Sequence, residues 1–153
     1  MTDFAGSFDH SADSKGRVVI PVGYREGLGD NFTIAINGSA TAIMLYPNAR
    51  WETEKSRFAR VSTTDVEGMA FKRLFFANAF TGNSLDAQGR VLLPAKLRTL
   101  IGAVKELVFV GMTDVIEVWD AAKYNAHEVD ALQSIMSYQA HMEEKYPTKN
   151  VDE

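Results

Sequence analysis

Short runs of β-branched and aliphatic residues, separated by polar turns, recur along the chain and are typical of strands. Four such runs predict strands: FTIAIN at 32–37, the segment from Met44 to Tyr46, ELVFV at 106–110 and IEVW at 116–119. Two more, RVVI and RVLL, run into Pro21 and Pro94, and a proline suits the first turn of a short helix. Gly29 and Gly102 can end these helices.

The chain contains an internal repeat. DSKGRVVIPVGYREGLG at 13–29 aligns without gaps with DAQGRVLLPAKLRTLIG at 86–102, with seven identities in seventeen positions. IMLYPNARW at 43–51 aligns at the same offset of 73 with IEVWDAAKY at 116–124. Each copy is therefore a turn, a strand, a short helix and two strands. Because so small a unit has exposed edges and little core, we predict that the copies pair about a pseudo-two-fold axis.

Each copy opens on a polar turn. Aspartate at the first and glycine at the fourth position of DSKG and DAQG is the preference of a type I turn. Lys15 and Gln88 then lie at the tips, and Arg17 and Arg90 follow directly. The predicted turn-forming and orienting residues are Asp13, Gly16, Asp86 and Gly89.

Helical patterns separate and follow the copies. Asn48 can cap a helix that runs to about Val61, and Thr64 with Glu67 has capping-box spacing for a second helix to about Ala77. A third helix is predicted from Asp120 toward Tyr146, with PTKNVDE frayed. The resulting segments are two repeats at 6–52 and 79–125, inter-repeat helices at 53–78, and a C-terminal helix with an acidic tail at 126–153.

The second of these helices is apolar on more than one side. Val66, Ala70 and Leu74 form one stripe, and Phe71 and Phe75 form another. Such a helix needs two partners, so either its second stripe is buried inside the protomer or Phe71 and Phe75 form an oligomer interface.

Composition narrows the class of protein. A hydrophobic content of 46% suffices for a core, and no apolar run approaches the roughly 18 residues of a membrane span. The polar N-terminal stretch does not resemble a signal peptide, and the sequence has no cysteine, so we predict a cytoplasmic protein without disulfides. The net charge is −4, but the segment from Asp120 onward has seven acidic and three basic residues, so any basic surface must be a local patch.

No catalytic constellation is apparent. His10, His127 and His141 lack metal-ligand spacing, and the sequence has no nucleophile elbow or Walker loop. GYREGLG resembles a glycine-rich phosphate loop only superficially, because the helix precedes its last glycines. We therefore expect a protein that is not an enzyme and takes no metal, cofactor, small-molecule substrate or membrane partner.

The doubled turn, in GSFDHSADSKGRVVIPVGYR and again in NSLDAQGRVLLPAKLR, resembles that of the MraZ family of bacterial transcriptional regulators. The resemblance implies an α+β, β-rich fold in which two AbrB-like swapped-hairpin repeats form one pseudo-two-fold barrel with peripheral helices. It also implies a homo-oligomeric ring on the nucleoid that binds repeated double-stranded DNA sites in the promoter of the division and cell-wall gene cluster.

The resemblance assigns DNA contact to Lys15, Arg17 and Arg90. An arginine can read guanine through two hydrogen bonds, and Arg25 and Arg98, at equal positions in the two short helices, could extend the patch toward phosphates. Other readings stay open. The Asp–Arg pairs could only brace the turns, Arg25 and Arg98 could lie on a solvated helix face, and the protein could be an oligomeric interaction module without DNA contact.

Overall fold

The computed structural model describes residues 3–103 and 105–149. The chain divides into two compact units, Met1–Ala121 and Ala122–Glu153. The described strands all lie in the first unit, which therefore contains the strands of both repeats. These units are not the repeats themselves, so the segment boundaries predicted from the sequence stay a prediction.

The two repeats have the same order of elements. The first contains β1 (Ser7–Ser11), β2 (Arg17–Val19), α1 (Val22–Leu28), β3 (Phe32–Ile36), β4 (Ile43–Pro47), α2 (Asn48–Ala59) and α3 (Val66–Ala77). The second contains β5 (Phe80–Asn83), β6 (Arg90–Leu92), α4 (Ala95–Ile101), β7 (Glu106–Gly111), β8 (Ile116–Asp120), α5 (Ala121–Gln133) and α6 (Ile135–Lys145). The predicted α+β class and internal duplication are confirmed.

The main sheet exchanges strands between the repeats. Its order is β1-β7-β8-β4-β3-β5, with antiparallel pairing throughout. β1 of the first repeat pairs with β7 of the second, and β5 of the second pairs with β3 of the first. Replacing each strand by its equivalent in the other repeat reverses the same order, as a pseudo-two-fold axis between β4 and β8 requires. The pairings leave β1 and β5 at the ends, so the closed barrel is not shown by the described residues.

A second, two-stranded sheet joins the repeats through β2 and β6. The strands are antiparallel, with Val18 opposite Val91 and Arg17 opposite Leu92. Val18 and Val91 are buried, whereas Leu92 is exposed, so this ribbon turns one face to the core. Each strand begins at the arginine of a turn of sequence DxxxR, 13–17 in the first repeat and 86–90 in the second, so the pairing brings both turns to the same ribbon, one at each end.

The two faces of β3 and β4 are both covered, and every residue of both strands is buried. Successive side chains point to opposite faces of a strand, so Ile34 and Leu45 enter one cluster while Ala35 and Met44 enter another. The first cluster combines apolar residues of β2, α1, β6 and α4 from both repeats. Neither repeat therefore has a complete core of its own.

The second cluster is aromatic and belongs to the helices between the repeats. Phe58 and Phe75 stack with ring centroids 4.7 Å apart, and Trp51 stacks on Phe75 at 5.7 Å. Tyr46 of β4 completes the cluster, and burial raises the pKa of its hydroxyl to about 12. Beside it, the buried Glu54 forms ion pairs within α2.

The helix boundaries correct three sequence predictions. Asn48 does not cap α2: it is the first helical residue, and Pro47 precedes it with extended backbone. Asp65 caps α3 by accepting the Gly68 amide at 2.9 Å, so the cap lies one residue after the predicted Thr64. The predicted long C-terminal helix is two helices, interrupted at Ser134.

The second unit consists of α6 and nearly all of α5. Neither helix has a buried residue. Within α5 the Tyr124 hydroxyl donates to Glu128 at 2.8 Å. Of the tail that was predicted to fray, residues 147–149 are described and have no helical structure, while 150–153 lie outside the described residues.

Candidate nucleic-acid interface

The first turn is built around the carboxylate of Asp13. Its Oδ1 accepts the backbone N–H groups of Lys15 and Arg17, both at 2.9 Å, and its Oδ2 accepts Arg17 Nε at 2.7 Å. The turn closes when the Gly16 amide donates to the Asp13 carbonyl at 3.0 Å. Asp13 therefore fixes both the backbone of the turn and the direction of the arginine side chain.

The second turn repeats this geometry. Asp86 Oδ1 accepts the backbone N–H groups of Gln88 and Arg90 at 2.9 and 2.8 Å, and Oδ2 accepts Arg90 Nε at 2.9 Å. The Gly89 amide donates to the Asp86 carbonyl at 2.9 Å. The ion-pair bracing considered from the sequence is thus present in both turns, and it also orients each arginine.

These hydrogen bonds lower the pKa of both aspartates. The backbone amide of Arg17 is the largest cause for Asp13, and that of Arg90 is the largest for Asp86. A carboxylate whose pKa is lower in the folded than in the unfolded state stabilises the fold at any pH above the unfolded-state pKa. This contribution is lost as the pH falls through the folded-state pKa. Since both values lie below 3.8, the turns keep their charged form at neutral and mildly acidic pH.

Both turn glycines have positive φ, +85° at Gly16 and +76° at Gly89. Residues with a β-carbon rarely adopt this conformation, so glycine fits the fourth turn position. Their carbonyl groups are also used: Gly16 accepts the Leu93 amide at 3.0 Å, and Gly89 accepts the Ile20 amide at 2.9 Å. Each turn is therefore hydrogen-bonded to the strand end of the opposite repeat.

Arg25 and Arg98 each contact the turn of the other repeat. Arg25 Nε donates to the carbonyl of Ile20 in its own repeat, at 3.0 Å, and its guanidinium lies against Gly89 of the second turn. Arg98 Nε donates to the carbonyl of Leu93 at 3.1 Å, and its guanidinium lies against Gly16 of the first turn. The equal positions of the two arginines were visible in the sequence, but the crossing was not.

The five predicted cations thus lie around the two ends of the β2–β6 ribbon, Lys15, Arg17 and Arg98 at one turn and Arg90 and Arg25 at the other. Lys15 and Gln88 are exposed at the turn tips, and the side chains of Arg17 and Arg90 are 36% and 29% exposed. Aspartate engages only Nε of these two arginines, and no other hydrogen bond from either guanidinium is found among the described residues. Their terminal nitrogens are available for two-pronged hydrogen bonding to a base edge or a phosphate.

Phe71 and Phe75 lie in the aromatic cluster. Phe75 is 5% exposed and packs between Trp51 and Phe58, so it is a core residue of the protomer. Phe71 stacks on Phe58 at 5.9 Å and is 39% exposed. Together with Leu74 and Leu100, which are also exposed, it lines an apolar cavity of about 90 Å³.

Residues 3–103 and 105–149 offer few other candidate sites. They include no cluster of histidine, aspartate or glutamate that could hold a metal ion, and no helix long and apolar enough to cross a membrane. A groove of about 580 Å³ lies between the end of α1 and the start of α2. Its wall includes Arg50, which pairs with Asp114 at 3.0 Å, a contact that the sequence analysis did not anticipate.

Comparison with known proteins shows that the chain matches one protein family along nearly its whole length. The model of the family described as "MraZ protein, putative antitoxin-like" matches twice, at residues 4–74 and 75–145. Transcriptional regulator MraZ of Natranaerobius thermophilus is 37% identical over 131 residues, covering 86% of this chain and 90% of its own. Proteins of the same name from Symbiobacterium thermophilum and Lactiplantibacillus plantarum are each 39% identical, over 82% and 83% of this chain and 90% and 89% of theirs.

Proposed function

The chain belongs to the MraZ family, and on that premise we propose that it regulates transcription by binding double-stranded DNA through its two arginine-bearing turns. One observation carries the proposal. Two exposed turns lie at opposite ends of the three-residue β2–β6 ribbon, and each holds an arginine whose guanidinium is oriented by an aspartate. A structural brace alone has no need to leave the terminal nitrogens of both arginines free.

The proposed contacts divide into two kinds. Arg17 and Arg90 read base edges, because an oriented guanidinium can donate two parallel hydrogen bonds to guanine O6 and N7. Lys15, Arg25 and Arg98 contact phosphates, which supply affinity and register rather than sequence information. Asp13 and Asp86 do not contact DNA, since a carboxylate repels phosphate, and act by orienting the arginines.

Because the basic patch of one protomer is small, we expect tight binding only to DNA that carries several repeated sites. The net charge of −4 gives the protein no general attraction for DNA, and one protomer offers only these few cations. Linking protomers in a ring makes each later contact intramolecular, which raises affinity about 10²- to 10⁴-fold when the spacing fits. We therefore extend the proposal to a ring that binds short repeats about 10 base pairs apart, on one face of the duplex. The division and cell-wall promoter, and a cytoplasmic location on the nucleoid, belong to this proposal.

The ring interface is proposed at the exposed side of α3. Phe71 and Leu74 are 39% and 61% exposed beside an apolar cavity, whereas Phe75 is buried and supports the helix from inside. A closed ring uses identical heterologous contacts, in which one surface of a protomer meets a different surface of the next. The exposed apolar side chains of α3 are suited to such a contact.

DNA binding is tested by a mobility-shift assay on the upstream region of the protein's own gene, at about 50 and about 200 mM salt. Probes carry one, two or three repeats, and a further probe has half a helical turn inserted between repeats. The proposal predicts that affinity rises with repeat number and falls on the half-turn insertion. Equal weak binding to all probes and to unrelated DNA would favour the interaction module without specific DNA contact.

The ring is tested by light scattering on Leu74→Asp and Phe71→Asp. Leu74→Asp is the cleaner variant, because Phe71 also stacks on Phe58. The control is Val22→Asp, which is 76% exposed in the first turn of α1, where a negative charge is favourable. We expect loss of mass for the first two variants and none for the control; unchanged mass in folded Leu74→Asp excludes this side of α3 as the interface.

A further inference from the structure

The two proposed DNA-binding units do not coincide with the two sequence repeats. We infer that each turn is completed by an arginine from the other repeat, so that one binding unit is Lys15, Arg17 and Arg98 and the other is Arg90 and Arg25. The inference rests on the proposed function, which it deepens by assigning each phosphate-contacting arginine to a particular turn. It implies that the protein reads DNA with two composite units, and that neither repeat can do so alone.

The positions of the guanidinium groups carry the first step. A β-carbon built on Gly16 would lie 2.6 Å from Cζ and 2.5 Å from Nη2 of Arg98, so this guanidinium lies directly on the first turn. A β-carbon on Gly89 would meet the guanidinium of Arg25 in the same way, with Nη2 at 2.6 Å. A β-carbon at either position would therefore displace the guanidinium, whereas glycine allows this close contact.

The anchoring of each arginine carries the second step. Arg98 Nε is held by the carbonyl of Leu93, whose own amide donates to the Gly16 carbonyl. Arg25 Nε is held by Ile20, whose amide donates to the Gly89 carbonyl. In each case one residue of the flanking strand end binds both the arginine and the opposite turn. The arginine is thereby fixed relative to that turn and not to its own.

Charge carries the third step. The charges of Arg17 and Arg90 are each paired with an aspartate, whereas Arg25 and Arg98 pair with no carboxylate among the described residues. The uncompensated charge at each turn therefore comes largely from the opposite repeat. The first turn has Lys15 in addition, but the second has the neutral Gln88 at its tip. Removing Arg25 thus leaves the second turn without net positive charge, while removing Arg98 leaves the first turn with Lys15.

The crossed contact is tested without DNA, by recording the backbone amide resonances of Gly16 and Gly89 in Arg25→Gln and Arg98→Gln. We expect Arg98→Gln to shift the Gly16 amide and leave Gly89 unchanged, and Arg25→Gln to do the reverse. Shifts at the glycine of the same repeat, or at neither glycine, overturn the inference while leaving the proposed DNA binding intact.

The proposed cooperation of each turn arginine with an arginine of the other repeat is tested by double-mutant cycles on operator DNA. Arg17→Ala is combined with Arg98→Gln and, as the matched control, with Arg25→Gln; Arg90→Ala is combined with the same two variants. Crossed units predict coupling in Arg17 with Arg98 and in Arg90 with Arg25, and additivity in the other two pairs. Coupling within the sequence repeats instead, or additivity in all four pairs, overturns it.

The salt dependence distinguishes a phosphate contact from a purely structural role. Each lost phosphate contact lowers the slope of log affinity against log salt concentration by about 0.9 per bound protomer. We expect this change in Arg25→Gln and Arg98→Gln, with the slope restored by Arg25→Lys and Arg98→Lys. Arg25→Gln should weaken binding more than Arg98→Gln, since its turn has no lysine. Unchanged slopes overturn the phosphate role, and absence of DNA binding by the unsubstituted protein overturns both this inference and the proposed function, whatever the amide resonances show.

Discussion

The two DxxxR turns have the same geometry and different tips. Their five equivalent hydrogen bonds agree closely in length, with Asp13 and Asp86 in the same roles. Yet one tip is Lys15 and the other is Gln88. The aspartate, the glycine and the following arginine therefore determine the turn, while the exposed tip is free to vary. Structural equivalence of the repeats does not make them chemically equivalent on DNA.

The helices that follow each repeat differ far more. α2 and α3 bury Trp51, Phe58 and Phe75, whereas neither α5 nor α6 buries any residue. At the repeat offset Phe58 and Phe75 correspond to Ala131 and Thr148. Because it lacks counterparts of Phe58 and Phe75, the second pair of helices does not form the same cluster. The two copies share the geometry of the turns and differ in the helices that follow them.

The largest expected effect tests this difference between the helices. Phe75→Ala removes a buried ring from the aromatic cluster and should lower the free energy of unfolding by about 3–5 kcal/mol. Leu132→Ala in α5, where the side chain is 58% exposed, should change it by less than about 0.5 kcal/mol. Urea denaturation measures both. A similar loss in the two variants would show that α5 contributes as much to stability as α3 does.

The next effect concerns the first turn. Arg17→Ala should cost about 1–3 kcal/mol of specific DNA binding per bound site, because one two-pronged base contact is lost. Binding by a ring multiplies that loss over several protomers. Arg90→Ala is the matched variant of the second turn, and fluorescence anisotropy compares the two. Equal losses indicate equivalent turns, whereas unchanged operator affinity in folded Arg17→Ala contradicts the proposed base contact.

How far the sequence leads is clear from these turns and their surroundings. The turn chemistry is local, since Asp13, Gly16 and Arg17 lie within five positions, and it was predictable in full. The strand exchange was not derivable from hydrophobic pattern alone, because nothing in β1 specifies β7 rather than a neighbour as its partner. It entered only through the family resemblance. The crossing of Arg25 and Arg98 depends on the β2–β6 pairing and so could not be read from either repeat.

The helix ends were predicted wrongly for a different reason. Thr64 and Asp65 are both good capping residues, so the local sequence does not decide between them; Asp65 forms the cap, and the Thr64 hydroxyl is hydrogen-bonded to the Ser62 hydroxyl instead. Pro47 ends β4 and starts α2 directly, which leaves Asn48 inside the helix. The break at Ser134 has only a weak local signal, a serine that competes for backbone hydrogen bonds.

A smaller effect isolates the space around the turn glycine. Gly16→Ala and Gly29→Ala both place a β-carbon at positive φ, which costs about 1–3 kcal/mol of stability. Only at Gly16 does the new atom also meet the Arg98 guanidinium, since a β-carbon on Gly29 has open space. We expect both variants to lose stability in urea and only Gly16→Ala to lose DNA affinity as well. Equal DNA affinity in the two variants would contradict a role for the packed arginine.

The smallest effect is the exchange of the turn tips. Lys15→Gln makes both tips neutral, and Gln88→Lys makes both basic, while the backbone hydrogen bonds to Asp13 and Asp86 are unaffected. On the proposed function a lysine at either tip adds one phosphate contact. Lys15→Gln should therefore make the slope of log affinity against log salt concentration shallower by about 0.9 per bound protomer, and Gln88→Lys should make it steeper by the same amount. The affinity should change only a few-fold, because exposed charge pairs contribute about 0.2–1 kcal/mol. Suppose that Lys15→Gln makes the slope shallower while Gln88→Lys leaves it unchanged. The second tip then does not contact phosphates, and the two turns differ in how they approach DNA as well as in charge.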